Sequence, residues 1–169
     1  MKVRKLTTMA LLCAIALTIH MVEAQIPPIV PLPGVKMGLS NIVTVFAVFA
    51  LGPKEAAMIL MGRIFLGSIF AGNFSSILYS ASGGLCAIAV TIGLRKILTK
   101  KQLWVAGSLG AVAHSIGQVA AASLMMGSMG VFVYLPALAA ISIVTGFCTG
   151  LSAQYLVNRG NIPWTISSK

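Results

Sequence analysis

Polar side chains inside long apolar runs are the part of this sequence that is suited to chemistry. Arg63 lies about nine residues into one run, about 13 Å along a helix. His114 and Gln118 are four residues apart in a later run, so a helix places them on one face. Asn41 begins a third run, and Lys36 shortly precedes it. If these side chains converge, they predict a cavity for a small anionic ligand, overhung by Lys36.

Purely structural roles are open for the same residues. Arg63 could extend its guanidinium to the headgroups of a membrane, as long basic side chains do. The pair His114 and Gln118 could make hydrogen bonds between helices. Glu23 could form an ion pair with Lys36 across the loop between two runs, which would have no role beyond structure.

The absent residue types restrict the chemistry further. The two acidic residues are Glu23 and Glu55, and the chain contains no aspartate, which excludes aspartate nucleophiles and Asp-rich magnesium sites. The phosphate-loop pattern GxxxxGK[ST] and the metal patterns HExxH and CxxC are also missing. We therefore expect neither an enzyme nor a bound metal or cofactor.

The composition is that of an integral membrane protein. Of 169 residues, 58% are hydrophobic and 8% are charged, and the mean hydropathy is +0.99. A typical soluble chain has about 25% charged residues. The net charge of +10 comes from basic residues that flank apolar runs, so no nucleic acid partner is expected.

The apolar runs predict an all-α bundle of six transmembrane helices in a single domain, 1–169. The predicted spans are 6–22, 39–51, 55–71, 75–98, 103–126 and 131–157, with an external loop at 23–38 that contains four prolines. With both termini cytoplasmic, ten of the twelve basic residues lie inside. In the alternative, residues 1–24 are a cleaved signal peptide, which leaves five spans.

Pairs of small residues four apart are a second pattern. Ala10 and Ala14 form one such pair in the first span, and Gly146 and Gly150 form another in the last. Small residues at this spacing let helices approach closely within a membrane. Most such faces pack within their own bundle, whereas an exposed one would dock another membrane subunit.

Four segments resemble one bacterial membrane family across nearly the whole chain. The segments 33–44 (PGVKMGLSNIVT), 62–67 (GRIFLG), 82–84 (SGG) and 110–118 (GAVAHSIGQ) resemble heptaprenyl diphosphate synthase component I, also called the Gx transporter family. The resemblance implies a multi-pass protein of the bacterial plasma membrane. Prenyl diphosphate synthases bind substrate through aspartate-held magnesium, so a chain without aspartate is not their catalytic subunit by that mechanism.

That family is in turn similar to the substrate-binding S-components of energy-coupling-factor transporters. Those proteins have six helices, a gating loop after the first helix, and an alanine-xxx-alanine face that docks on a coupling subunit. Ala10 and Ala14 fit this face, and the proline-rich loop occupies the gating position. The similarity implies a transmembrane coupling subunit and ATPase subunits as partners, and the absence of a phosphate loop in this chain agrees with that implication.

Together these observations predict the substrate-binding subunit of an importer for a small anionic molecule, vitamin-like or related to isoprenoids. Arg63, His114, Gln118, Asn41 and Lys36 would bind the substrate. The alternative is a non-catalytic accessory subunit of isoprenoid or quinone synthesis, or of a membrane redox system. A self-sufficient small carrier that works as an oligomer is a third possibility, which the lack of carboxylates within the spans disfavours.

Overall fold

All regular secondary structure in the described part of the chain is helical. A computed structural model describes residues 3–26, 36–72 and 75–159, which form six α-helices and one 3-10 helix without a strand. The predicted all-α class is therefore confirmed. The helices are α1 (Val3–Glu23), α2 (Asn41–Ala50), α3 (Pro53–Ala71), α4 (Ser75–Arg95), α5 (Leu103–Met126), the 3-10 helix Met129–Tyr134, and α6 (Leu135–Arg159).

Four stretches of the described chain are long and apolar enough to cross a membrane. They are α1, α4, α5 and the continuous stretch Met129–Arg159. The 19 residues of α3 are interrupted by Lys54, Glu55 and Arg63. With ten residues, α2 extends about 15 Å, half the thickness of a hydrocarbon core of about 30 Å. The count of six spans stays a prediction, and so does the orientation of the termini.

The short helix α2 lies inside the bundle. Eight of its ten residues are buried, and it contacts all five of the other helices. Its sequence NIVTVFAVFA is apolar on every side, which is typical of a helix surrounded by others. Pro53 occupies the first position of α3 and marks the boundary between α2 and α3. The interior position of α2 brings its first residues into contact with several helices at once.

Glycines allow α5 to pack very closely against α6. A Cβ atom added to Gly107 would lie 2.3 Å from the carbonyl oxygen of Gly146, and one on Gly150 would lie 2.7 Å from the Cα of Trp104. No side chain fits at such distances, so the backbones of the two helices are in direct contact. The small-residue pair Gly146 and Gly150 therefore packs within the bundle.

Several helix ends meet at one end of the bundle. Lys5 and Glu55 form an ion pair that joins the beginnings of α1 and α3. A Cβ added to Gly52, just before α3, would lie 3.9 Å from Nη1 of Arg95, which ends α4. Gln154, near the end of α6, accepts a hydrogen bond of 3.1 Å from the backbone N–H that begins α5. Lys5 and Arg95 thus lie at the end of the bundle where α3 begins.

Some helix limits differ from the predicted ones. The fourth helix was predicted to reach residue 98 but ends at Arg95, because turns that bond Lys96 and Ile97 to Gly93 and Leu94 replace its last turn. The sixth was predicted to begin at residue 131, where the 3-10 helix lies instead. The four prolines of the predicted gating loop lie outside the described residues.

Candidate ligand-binding site

The five residues predicted to bind substrate come together around the beginning of α2. Nη1 of Arg63 donates a hydrogen bond of 2.5 Å to Oγ of Ser40, which directly precedes Asn41. The backbone N–H of Lys36 donates to Oε1 of Gln118 at 3.2 Å. We call the group around this point the polar cluster. Its members are His20, Glu23, Lys36, Ser40, Asn41, Arg63, His114 and Gln118.

Gly38 fits tightly between two members of the polar cluster. A Cβ added to it would lie 2.8 Å from Nδ2 of Asn41 and 3.2 Å from Cδ2 of His114. Its φ of +79° lies in the left-handed region that side chains rarely adopt. Its N–H donates to Oε1 of Glu23 at 2.5 Å, which attaches this segment to α1. A glycine is therefore required here both by the backbone and by the space.

A second glycine makes room for α5. A Cβ on Gly83 of α4 would lie 2.9 Å from both Cγ of Gln118 and Cε1 of His114. The two side chains thus lie across the bare backbone of α4, on the common face that their spacing predicts. Both are buried, with 3% of His114 and 2% of Gln118 exposed.

The guanidinium of Arg63 is directed into the bundle. Only 3% of the residue is exposed, and besides Ser40 its Nη1 lies 3.4 Å from Nδ1 of His20. This geometry does not match an arginine that extends to the headgroups. It makes Arg63 the link between α1, the segment before α2, and α3.

Sequence reasoning missed His20 as a member of the cluster. Its Nδ1 faces Arg63, and its Nε2 lies 3.3 Å from Nζ of Lys36, so the imidazole lies between two basic side chains. A signal was present: His20 is a polar residue in an apolar run, four residues after Ala16 and three before Glu23. These three residues share the buried face of α1.

Glu23 and Lys36, for which an ion pair was one possibility, do not form one. The ammonium of Lys36 lies against His20, and the carboxylate of Glu23 accepts from the backbone of Gly38. Their attraction acts at longer range. Burial lowers the pKa of Lys36, the negative charge of Glu23 raises it, and the positive charge of Arg63 lowers it.

Several buried polar atoms of the cluster lack hydrogen-bond partners. Among the described residues, these include Nε and Nη2 of Arg63 and both amide atoms, Nδ2 and Oδ1, of Asn41. Buried polar groups in proteins are nearly always hydrogen-bonded, and exceptions occur at functional sites. The first N–H groups of α2 are not among them, since those of residues 41 to 43 bond to the carbonyls of residues 38 to 40. The unpaired groups are therefore side chains.

The predicted docking residues lie apart from the cluster. Ala10 and Ala14 are exposed on α1, whereas the buried face of that helix carries Met9, Ala16 and His20. The other helices that α1 contacts are α2 and α3. Among the described residues, this alanine pair is thus open to a further helix.

A bundle of apolar helices with a polar cluster in its interior defines a helical membrane protein. The family model of heptaprenyl diphosphate synthase component I matches residues 12–156. The chain belongs to this family, as the sequence segments predict. Neither the curated proteins nor the solved structures give a match.

Proposed function

We propose that this protein is a membrane subunit without catalytic activity that binds a small anionic molecule in the polar cluster. We further propose that it serves as the substrate-binding subunit of an importer of the energy-coupling-factor type. The observation that carries the proposal is the buried guanidinium of Arg63, whose Nε and Nη2 have no partner among the described residues.

The charges around Arg63 support an anionic ligand. An arginine within a membrane costs several kcal/mol unless it is paired or hydrated. Lys36 adds a second cation, and the carboxylate of Glu23 bonds to Gly38. A bound anion would compensate the remaining positive charge and occupy the unpaired donors.

The exposed alanine pair supports the importer. Small residues on an open helix face allow another transmembrane helix to approach closely. Ala10 and Ala14 provide such a face on α1, on a different side of the helix from His20. The chain has no phosphate loop, so ATP-driven transport would depend on a partner that supplies the ATPase.

The family name favours a second candidate, an accessory membrane subunit of isoprenoid synthesis. The family is named for one component of a synthase, which implies another component as partner. The present chain would then contribute no aspartate to the magnesium site of the synthase, since it has none. Its polar cluster would hold the diphosphate of a lipid or only stabilise the bundle.

One purification distinguishes these functions. The tagged protein is extracted from its native membranes in mild detergent, and mass spectrometry identifies both the subunits and the small molecules that remain bound. Coupling and ATPase subunits support the importer. A prenyl synthase or a redox enzyme without an ATPase would contradict it and support the accessory subunit.

Replacing Arg63 by Ala tests the binding site. The variant should bind the retained small molecule at least about 30-fold more weakly, because the substitution removes one partner of a buried charged pair. Arg159→Ala is the matched control, because Arg159 ends α6 and stacks on Tyr155. Equal retention by both folded variants would remove Arg63 from the site.

Replacing both Ala10 and Ala14 by Leu tests docking. Larger side chains should prevent close helix approach, so the double variant should keep the small molecule and lose the coupling subunit. A double variant of α6, Ala137→Leu with Ala140→Leu, changes two exposed alanines elsewhere and should keep both. An intact complex in the α1 variant would refute this docking surface.

A further inference from the structure

The unpaired atoms of Arg63 form one side of its guanidinium. Nη1 is occupied, since it donates to Ser40 and lies beside His20. Nε and Nη2 have no partner among the described residues, and their N–H groups point in parallel along the opposite edge. A planar pair of parallel donors matches the two oxygens of a carboxylate or a phosphoryl group. The residue thus offers a two-point contact, which is more specific than a single positive charge.

Asn41 offers a different kind of contact next to it. Within the described part of the chain, its amide has one unpaired donor, Nδ2, and one unpaired acceptor, Oδ1, on a side chain of which 3% is exposed. Another amide, with its own carbonyl and N–H side by side, satisfies both atoms together. Ser40, which accepts from Nη1 of Arg63, directly precedes Asn41, so both side chains lie at the beginning of α2.

The charge of the polar cluster limits the charge of the ligand. Arg63 and Lys36 are cationic groups and Glu23 is the acidic one, which leaves one positive charge to be compensated. A carboxylate supplies one negative charge. A diphosphate carries several, and the excess would lie uncompensated in the interior of the bundle, where isolated charges are costly.

We infer that the molecule bound by the polar cluster is a small monocarboxylate that also carries an amide-type group. The carboxylate binds to the Nε and Nη2 edge of Arg63, and the amide-type group pairs with the side chain of Asn41. This inference rests on the proposed function and specifies the chemical class of the substrate.

The test uses the molecule that remains bound to the purified full-length protein. It is released with organic solvent, its elemental composition is determined by accurate mass, and part of it is converted to the methyl ester. The free acid and its ester are then titrated against protein washed free of the molecule. We expect a composition with nitrogen and without phosphorus, and an ester that binds at least about 30-fold more weakly than the acid.

Three variants assign the two contacts. Arg63→Lys keeps the charge but loses the parallel donors, so the acid should bind at least about tenfold more weakly. Asn41→Leu, of similar volume, and the smaller Asn41→Ser should each weaken binding about fivefold or more. Arg159→Lys should leave the affinity unchanged. Size-exclusion chromatography selects folded protein, and having two Asn41 variants guards against one that does not fold.

The possible outcomes separate this inference from the proposed function. If wild-type protein retains no small molecule, or if Arg63→Ala retains it equally, the proposed function fails. If the retained molecule depends on Arg63 but contains a diphosphate, only the carboxylate assignment is overturned. An ester that binds as tightly as the acid overturns it as well. Asn41 variants with unchanged affinity overturn the amide contact.

Discussion

Replacing Gly38 by Ala should destabilise the polar cluster more than the same change at another left-handed glycine. The reference is Gly72, which follows α3 with a φ of +62° and has no atom within 4 Å of an added Cβ. Both variants place an alanine in the left-handed region, at a cost of about 1–2 kcal/mol. At Gly38 the new methyl group also meets Asn41 at 2.8 Å and His114 at 3.2 Å.

The difference in the free energy of unfolding between the two variants measures this crowding. Forcing an extra methyl into a packed interior costs about 1–3 kcal/mol. For a chain of this length, that corresponds to a midpoint of thermal unfolding lower by about 2–12 °C. The backbone strain is common to both variants and cancels in the comparison.

The assay is thermal unfolding of both variants in the same detergent, followed by intrinsic fluorescence. Gly127→Ala provides a second control, since Gly127 also has a φ of +62° and open space around its Cβ position. We expect Gly38→Ala to unfold at the lowest temperature and to lose the retained small molecule. Equal midpoints for all three variants would show that Gly38 is not enclosed by Asn41 and His114, and the described geometry of the cluster would be wrong.

Two further predictions concern the packing and orientation of the bundle. Gly107→Val should separate α5 from α6 and lower the free energy of unfolding by about 1–3 kcal/mol or more. Gly93 is exposed on α4 and has nothing near its Cβ position, so Gly93→Leu should be neutral or slightly stabilising. Unfolding midpoints that are the same for both variants would contradict the close packing. Labelling of single cysteines tests the orientation of the helices. In a cysteine-free background, a membrane-impermeant maleimide should label Ser128→Cys in intact cells, and it should label Lys101→Cys only in opened cells. Labelling of both from outside would refute cytoplasmic termini.

The composition predicts the class of this protein well, and the reason is physical. A membrane interior accepts long apolar helices and excludes charges, so the apolar runs that form α1, α4 and α5 can be recognised in the sequence. The same physics made Arg63 and His114 conspicuous. The spacing of His114 and Gln118 also predicted that the two side chains share one face of a helix.

The sequence was less informative where tertiary contacts determine the position of a helix or the partner of a side chain. Whether α2 crosses the membrane or is enclosed depends on its neighbours, which hydropathy does not describe. His20 was missed because its role comes from Lys36 and Arg63, distant in sequence. The partner of Glu23 could not be foreseen for a similar reason, since the turn at Gly38 offers it a backbone N–H in place of the ammonium of Lys36.

The attachment of α1 gives the molecule a mechanical property. The ion pair between Lys5 and Glu55 holds one end of this helix, and His20 lies fifteen residues further along, about 22 Å away. A tilt of about 10° around that pair would displace His20 by about 4 Å, more than the length of its contacts with Lys36 and Arg63. For a rigid helix pivoted at this pair, a displacement of the exposed side near Ala10 and Ala14 would be larger at His20, because His20 lies farther from the pivot.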